Sequence, residues 1–294
     1  MQETSCPICG PGTPFRVRYP EKFDRSSLAF VARKTPDHTH FRIVQCNNCG
    51  LVYSNPILPE EDIRGLYRRS AFIHEEQLGN MLRDYLEQFE EILPLMNKEN
   101  LLEVGCSSGF FLDAARRSGF ENVRGVELSV EAVANAPESV RGSIVNDEFR
   151  TGIFPPGHFD AVCFFQVFDH VIDPNRFLQT AHHYLKPGGT LLAVHHDIRA
   201  LMPSVLGARA STYDISHIHL WDKSTMRKIL EKNGFRVRSI RNVRSRYQLD
   251  HVLRMLPLPR PLKEGTRALV KRLGLSGKVI KASVENMAVV AEKP

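Results

Sequence analysis

From residue 101 onward, apolar runs of strand length alternate with segments of helical period. Such a chain can satisfy its backbone only by building a mainly parallel sheet with helices on both faces. The candidate strands are 101–104, 123–127, 143–146, 159–165, 190–196, 235–243 and 287–292. Helix punctuation falls between them. Gly119 closes the helix after the first strand, and Ser129 caps the next, with Glu131 in its first turn. Asp173-Pro174 supplies a capping carboxylate followed by proline at the first helical position. "KPGG" at 186–189 reads as a turn, and Asp222 caps a helix that ends at Asn233-Gly234. Residues 249–282 break the rhythm with Pro257, Pro259, Pro261 and a basic, amphipathic stretch. At 294 residues the chain can bury one large core and carry an appendage.

That appendage lies at the N-terminus. Residues 1–58 hold two Cys-x-x-Cys-Gly turns, "CPICG" at 6–10 and "CNNCG" at 46–50, and no long helical period. Tetrahedral zinc with four thiolates requires two such turns facing each other, so Cys6, Cys9, Cys46 and Cys49 are the expected ligands of a zinc ribbon. A closed site of four thiolates leaves no position for water, which makes the zinc structural. His38 and His40 lie between the pairs but are not needed. Residues 59–98 form a helical connector, with Leu78, Met81, Leu82, Tyr85, Leu86, Phe89 and Leu93 at three- and four-residue spacing. The first residues, "MQETSCPICG", have neither the basic nor the apolar region of a secretory signal, and no apolar run reaches membrane-spanning length. A cytoplasmic protein with reduced cysteines is expected.

In a doubly wound sheet the ligand sits beyond the carboxyl ends of the strands, at the first strand-to-helix turn. Here that turn is "LLEVGCSSGF" (101–110). A dinucleotide fingerprint would have glycine where Ser107 stands, and Glu103 would set a carboxylate near phosphate. Both features suit a cofactor with a cationic amino-acid end and no phosphate, such as S-adenosylmethionine. Glu127, ending the second strand in "RGVELS", can accept two ribose hydroxyls, and Asn146-Asp147 at the end of the third can meet an adenine edge.

These residues together resemble the class I S-adenosylmethionine-dependent methyltransferases. The likeness runs through "LLEVGCSSGFFL" (101–112), "GVELS" (125–129), "FDAVCFFQVFDHVIDP" (159–174), "LKPGGTLLAV" (185–194) and "HIHLWDKSTMRKILEKNGF" (217–235). It implies a Rossmann-like, seven-stranded sheet over 99–294 whose last strand runs antiparallel, with 249–282 as a basic insertion before that strand. It further implies that Glu103, Gly105, Ser107 and Gly109 surround the methionine part, that Glu127 takes the ribose, and that Leu128 and Asp147 meet the adenine; Cys106, in the same loop, is a further cofactor-binding candidate. Gln166 would stand beside the methyl donor. The stretch Gln166-Val167-Phe168-Asp169-His170 departs from the commoner His-x-Leu-Glu-His. "CGLVYSNP" from Cys49 resembles the ribbon start of many small-molecule methyltransferases.

Methyl transfer from a sulfonium needs alignment first and, for a hydroxyl acceptor, a proton acceptor second. The candidates are His196, His217 and His170, each near a strand carboxyl end. His195 and His196 are neighbours on a strand and must face opposite sides, which weakens a second metal site built from His195, His196, Asp197 and His217. Charge adds a partner. Residues 223–294 carry 18 Lys and Arg against 5 Asp and Glu, while the whole chain is at +6. A small-molecule acceptor (a sugar, a lipid-linked glycan or a secondary metabolite) is expected, with the basic segment meeting an anionic membrane or an anionic substrate. The alternative is an RNA methyltransferase gripping phosphate with the ribbon and basic segment. The acidic first 222 residues and the absence of a base-specific motif favour the small molecule.

Overall fold

The structure is a computed structural model that describes residues 1–23, 38–69, 78–256 and 259–294. Part of the expected ribbon (24–37), part of the expected connector (70–77) and Pro257 therefore lie outside the described residues. The N-terminal strands are β1 (Phe15–Tyr19), β2 (Ile43–Cys46) and β3 (Val52–Ser54), followed by helices α1 (Glu60–Arg68) and α2 (Leu78–Glu90). Then come β4 (Asn100–Val104), α3 (Phe110–Arg117), β5 (Asn122–Val126), α4 (Val130–Ala134), α5 (Glu138–Arg141) and β6 (Ile144–Val145). The chain continues through β7 (Phe159–Phe165), α6 (Pro174–Tyr184), β8 (Leu185–His196), α7 (Leu201–Leu206), β9 (His219–Leu220) and α8 (Lys223–Lys232). It closes with β10 (Arg236–Asn242), β11 (Ser245–Gln248), α9 (Leu249–Met255), α10 (Arg260–Arg272), β12 (Val279–Ala282) and β13 (Asn286–Glu292).

Seven strands form one sheet in the order β10-β13-β8-β7-β4-β5-β6. Its pairs are parallel except around β13, which runs antiparallel to β8 and to β10. The expected architecture is therefore present, and the doubly covered strands explain the near-continuous apolar runs. Successive residues face opposite cores. On β7, Val162 and Phe164 join the cluster that holds Phe177, Leu178, Met226 and Ile229 of α6 and α8. Cys163 and Phe165 join the other, with Tyr85 and Phe89 of α2 and Phe111 of α3.

Two local expectations need correction. The "KPGG" segment is not a free turn, because Gly188 N donates to the Lys293 carbonyl at 2.8 Å, Lys293 N donates to the Gly189 carbonyl at 3.0 Å, and β8 already begins at Leu185. A register shift against β7 absorbs the irregularity, with Gly188 at φ 76°. The interruption at 249–282 is also anchored at both ends, since β11 and β12 pair antiparallel. Arg246 of β11 contacts Asp84 of α2 at 2.6 Å, and Lys281 of β12 reaches Glu87 at 2.6 Å.

The cysteine region is not free-standing. Its sheet has the order β1-β2-β3-β9, and the last strand comes from the segment before α8. Val52 pairs with Leu220 and Tyr53 with His219. Lys232 of α8 donates to the carbonyls of Pro7 at 2.6 Å and Ile8 at 3.1 Å, and Asn175 of α6 donates to Pro7 at 3.0 Å. Cys6, Val44 and Leu51 share the apolar cluster of α6 and α8.

The expected caps form. Ser129 accepts from the N–H of Ala132 and Asp173 from that of Arg176. Asp222 and Thr225 make a reciprocal capping box, the Asp222 carboxylate accepting from Thr225 N at 2.8 Å. Asp222→Ala should therefore lower the unfolding free energy by about 0.5–2 kcal/mol. Chemical denaturation checks this, and an unchanged midpoint would mean the cap adds nothing to α8.

Candidate active site

A cavity of ≈530 Å³ opens beyond the carboxyl ends of β4, β5, β7 and β8. This is the size of a small-molecule site and the place the topology predicts for one. Its first wall is the turn after β4. Gly105 sits at φ 68°, and a Cβ there would stand 2.5 Å from Val167 Cγ2, so only glycine fits between the two loops. Ser107 also takes a positive φ of 50°, with its N–H donated to Glu127 Oε2 at 2.8 Å. Ser129 N donates to Glu127 Oε1 at 2.8 Å. Burial pushes the Glu127 carboxyl up, and the N–H groups of Ser129 and Ser107 oppose that shift.

Glu103, next to last in β4, is buried, with Oε2 lacking any hydrogen-bond partner. Burial, reinforced by the charge of Glu127, holds its pKa well above the ordinary carboxylate value. A buried carboxylate of this kind is costly unless a cationic group meets it. The ammonium of an amino-acid cofactor would do so, and the residues present fit S-adenosylmethionine in that respect.

The other expected cofactor contacts divide. Leu128, Asp147 and Gln166 line the cavity with Cys106. The Cys106 sulfur packs against Gly125, where an added Cβ would be 2.5 Å away, and burial pushes the thiol pKa up. Asp147 is held below its ordinary value by the N–H of Glu148 and then by Arg150 at 2.8 Å. Gly109 and Asn146 are not among the residues that line the cavity. Gly109 is the turn residue ahead of α3, tight against Ile144 and Val140, while Asn146 donates to the Glu127 carbonyl at 2.7 Å.

The opposite wall gathers the three histidines. His170 and His217 have ring centroids 4.7 Å apart, and His196 and His217 5.2 Å apart. His195 faces the other side of β8, fully buried, its ring 6.4 Å from that of Phe168. Between the rings lies Asp169, which the sequence marks only as part of an unusual motif. Its Oδ2 is 3.6 Å from His217 Nε2, and its Oδ1 is 3.8 Å from His170 Nε2. Burial would raise the Asp169 pKa, but the surrounding imidazoles outweigh it and hold the carboxyl below the carboxylate range. Burial pushes the His217 pKa down, to about 4, with Asp169 opposing.

Asn286, at the start of β13, joins the two walls. Its Oδ1 accepts from Gln166 Nε2 at 3.1 Å and from His196 Nδ1 at 3.1 Å. Tyr247 lies nearby, with its hydroxyl donated to Glu285 at 3.1 Å. A lone Asn at a strand start carries no local sequence signal, and neither it nor Tyr247 was expected.

Away from the cavity, Cys6, Cys9, Cys46 and Cys49 converge, with one sulfur from each inside a sphere of mutual distances no greater than 4.8 Å. Cys6 and Cys49 sulfurs are 3.4 Å apart. A zinc ion with ~2.3 Å bonds needs sulfurs about 3.8 Å apart, so this donor set fits zinc. Burial pushes the Cys6 thiol up to about 11. At Cys46 the N–H groups of Cys49 and Asn48 outweigh burial and hold it at about 7, which favours the thiolate.

Comparison with known proteins agrees with this geometry. Residues 74–240 match the family described as a methyltransferase domain. Among curated proteins, the chain is 30% identical over 131 residues to a ubiquinone biosynthesis O-methyltransferase of Ralstonia nicotianae, covering 42% of this chain and 54% of that one. It is 29% identical over 150 residues to the enzyme of the same name from Caulobacter vibrioides, covering 48% and 56%. The chain thus spans about half the length of these relatives. Among solved structures, an S-adenosylmethionine-dependent methyltransferase of Archaeoglobus fulgidus aligns with a TM-score of 0.50 at 17% identity, over 80% of this chain and all of that one. The [4+2]-cyclase SpnF aligns at 0.51 and 20%, over 78% and 86%. These two show the fold alone.

Gly105→Ala should weaken S-adenosylmethionine binding about tenfold or more, since an added Cβ meets Val167 and backbone strain of this type costs ~1–3 kcal/mol. Calorimetric titration reads it. Wild-type affinity in the variant would remove Gly105 from the cofactor wall.

Proposed function

We propose that this chain, which belongs to the methyltransferase-domain family, moves the methyl group of S-adenosylmethionine onto a hydroxyl oxygen of a small molecule. The enzyme class itself, an S-adenosylmethionine-dependent methyltransferase, follows from the family match and the fold. The single observation behind the oxygen acceptor is the Asn286 bridge. It ties Gln166, on the methyl-donor side, to His196 and its cluster in the same cavity. The names of the curated relatives point the same way.

S-adenosylmethionine, when bound, supplies an activated methyl group. Glu103 would face its ammonium, the Gly105–Ser107 backbone would border its methionine part, and Glu127 would meet the ribose. Alignment of acceptor and donor accounts for most of the rate, up to ~7–11 kcal/mol of barrier. The acceptor hydroxyl would lose its proton to the imidazoles around Asp169, with His170, His196 and His217 as the candidates. His170 is the least enclosed of the pair flanking Asp169, at 25% exposure against 9% for His217. Enclosure of this cluster favours a compact acceptor over a polynucleotide. The aromatic pair Tyr85 and Phe165, stacked at 4.4 Å, gives the cavity an apolar flank for a ring or a lipid-linked group.

Two features complete the reading. The four cysteines would hold a structural zinc, which would fix the ribbon against α6 and α8. The basic α10 exposes Leu262 and Leu269, with Leu273 exposed just past its end, on a helix that also carries Lys263, Lys271 and Arg272, a composition suited to peripheral contact with an anionic membrane. No helix among the described residues is long and apolar enough to cross a membrane.

Incubation with methyl-labelled cofactor and a pool of phenols, sugars and lipid-linked hydroxyl compounds should label an ether product. His170→Ala and His217→Ala should cut kcat by about 10²–10⁴-fold with cofactor affinity unchanged. Label appearing only on nitrogen or carbon would overturn the hydroxyl acceptor. Thiol-bound zinc should be found in the purified protein and lost in Cys6→Ser/Cys9→Ser; a zinc-free wild type would remove the ribbon metal.

A further inference from the structure

We propose that Asp169, His196 and His217 form a second metal site, for a divalent cation, at the acceptor end of the cavity. One ligand atom from each lies within 4.8 Å of the other two. A cation bound at ~2.0–2.2 Å spans ligand pairs up to about 4.2 Å, so small side-chain rotations close the site.

Three observations carry the assignment. The first is the carboxylate. Asp169 is 2% exposed, and neither of its oxygens has a hydrogen-bond partner. Its nearest ionisable neighbours, at 3.6 and 3.8 Å, stand beyond hydrogen-bond length. A buried carboxylate left in this condition is expensive, and a cation is what removes the cost.

The second is the orientation of the imidazoles. His217 Nδ1 faces the Thr212 carbonyl at 2.8 Å, and His196 Nδ1 faces Asn286 Oδ1 at 3.1 Å. Each ring donates its Nδ1 proton outward, and Nε2 is left as a lone pair. Metal-bound histidines are held in this way by a carbonyl or amide behind them.

The third is the backbone that fixes the trio. The Asp169 carbonyl accepts from Ile218 N at 2.7 Å and His219 N at 3.1 Å, which clamps the turn after β7 to the segment bearing His217. His196 comes from the end of β8, so the three ligands stand on three different segments.

Two imidazoles and one carboxylate suit zinc, manganese, cobalt or iron(II) better than calcium, which prefers oxygen ligands. This trio leaves coordination positions toward the cavity. The cation's role rests on the hydroxyl-acceptor reading given above. It would hold the acceptor oxygen and ease loss of its proton to His170 Nε2. The oxygen–carbon bond then forms as the carbon–sulfur bond breaks, and the electron pair leaves on sulfur. The products are the methyl ether and S-adenosylhomocysteine.

Cobalt(II) titrated into the purified, zinc-loaded full chain tests the site directly. One equivalent should bind with weak visible d–d bands and no thiolate charge-transfer absorption. Asp169→Asn and His196→Gln, checked for folding by circular dichroism, should weaken that binding by at least the roughly 10–100-fold that loss of a supporting contact costs. No cobalt bound beyond the thiolate spectrum, or wild-type affinity in both variants, overturns the site. The two readings separate cleanly. Cobalt binding without methylation of any hydroxyl compound sinks the acceptor and leaves the site. Methylation undiminished in an Asp169→Asn protein that binds no cobalt sinks the cation's role and leaves the acceptor.

Discussion

The two-residue strand β9 is what the acceptor wall depends on. It completes the sheet of the cysteine region through Val52–Leu220 and Tyr53–His219, and its first residue, His219, together with Ile218 just before it, donates an N–H group to the carbonyl of Asp169. Ser54, fully buried in β3, gives its hydroxyl to the His217 carbonyl at 3.2 Å. A region that could pass for a detachable metal-binding appendage is thus a structural wall of the cavity.

The cofactor wall is built differently. It is formed where neighbouring strands end, with Gly105 pressed against Val167 and with Ser107 and Ser129 donating to Glu127. Short-range constraints of this kind act between residues close in the chain or at neighbouring strand ends. The acceptor wall joins segments far apart, and Ser54 and His217 are separated by 163 positions. One wall can be preserved while the other varies, which is how a single fold serves many acceptors.

That contrast also accounts for what the residues alone reveal. The alternating apolar runs, the caps at Ser129, Asp173 and Asp222, the glycine turn and the paired cysteines all rest on near neighbours, and each is visible in a short window. Asp169 escaped because a single acidic residue in "QVFDH" says nothing about the imidazoles that surround it from two other segments. Asn286 escaped because its importance lies in two donors, Gln166 and His196, that are distant in sequence. "KPGG" misleads for a related reason: its turn-forming composition is outweighed by pairing with Lys293 at the far end of the chain. Gly109 and Asn146 sit where the pattern puts them, yet they do not line the cavity.

Asn286 Oδ1 is one oxygen with two donors. Whatever ligand recruits the Gln166 amide takes away one of them and leaves His196 as its sole partner. The imidazole on the acceptor side and the amide on the donor side therefore meet on a single shared atom. In a cavity assembled from independent walls, that oxygen is a seam between them.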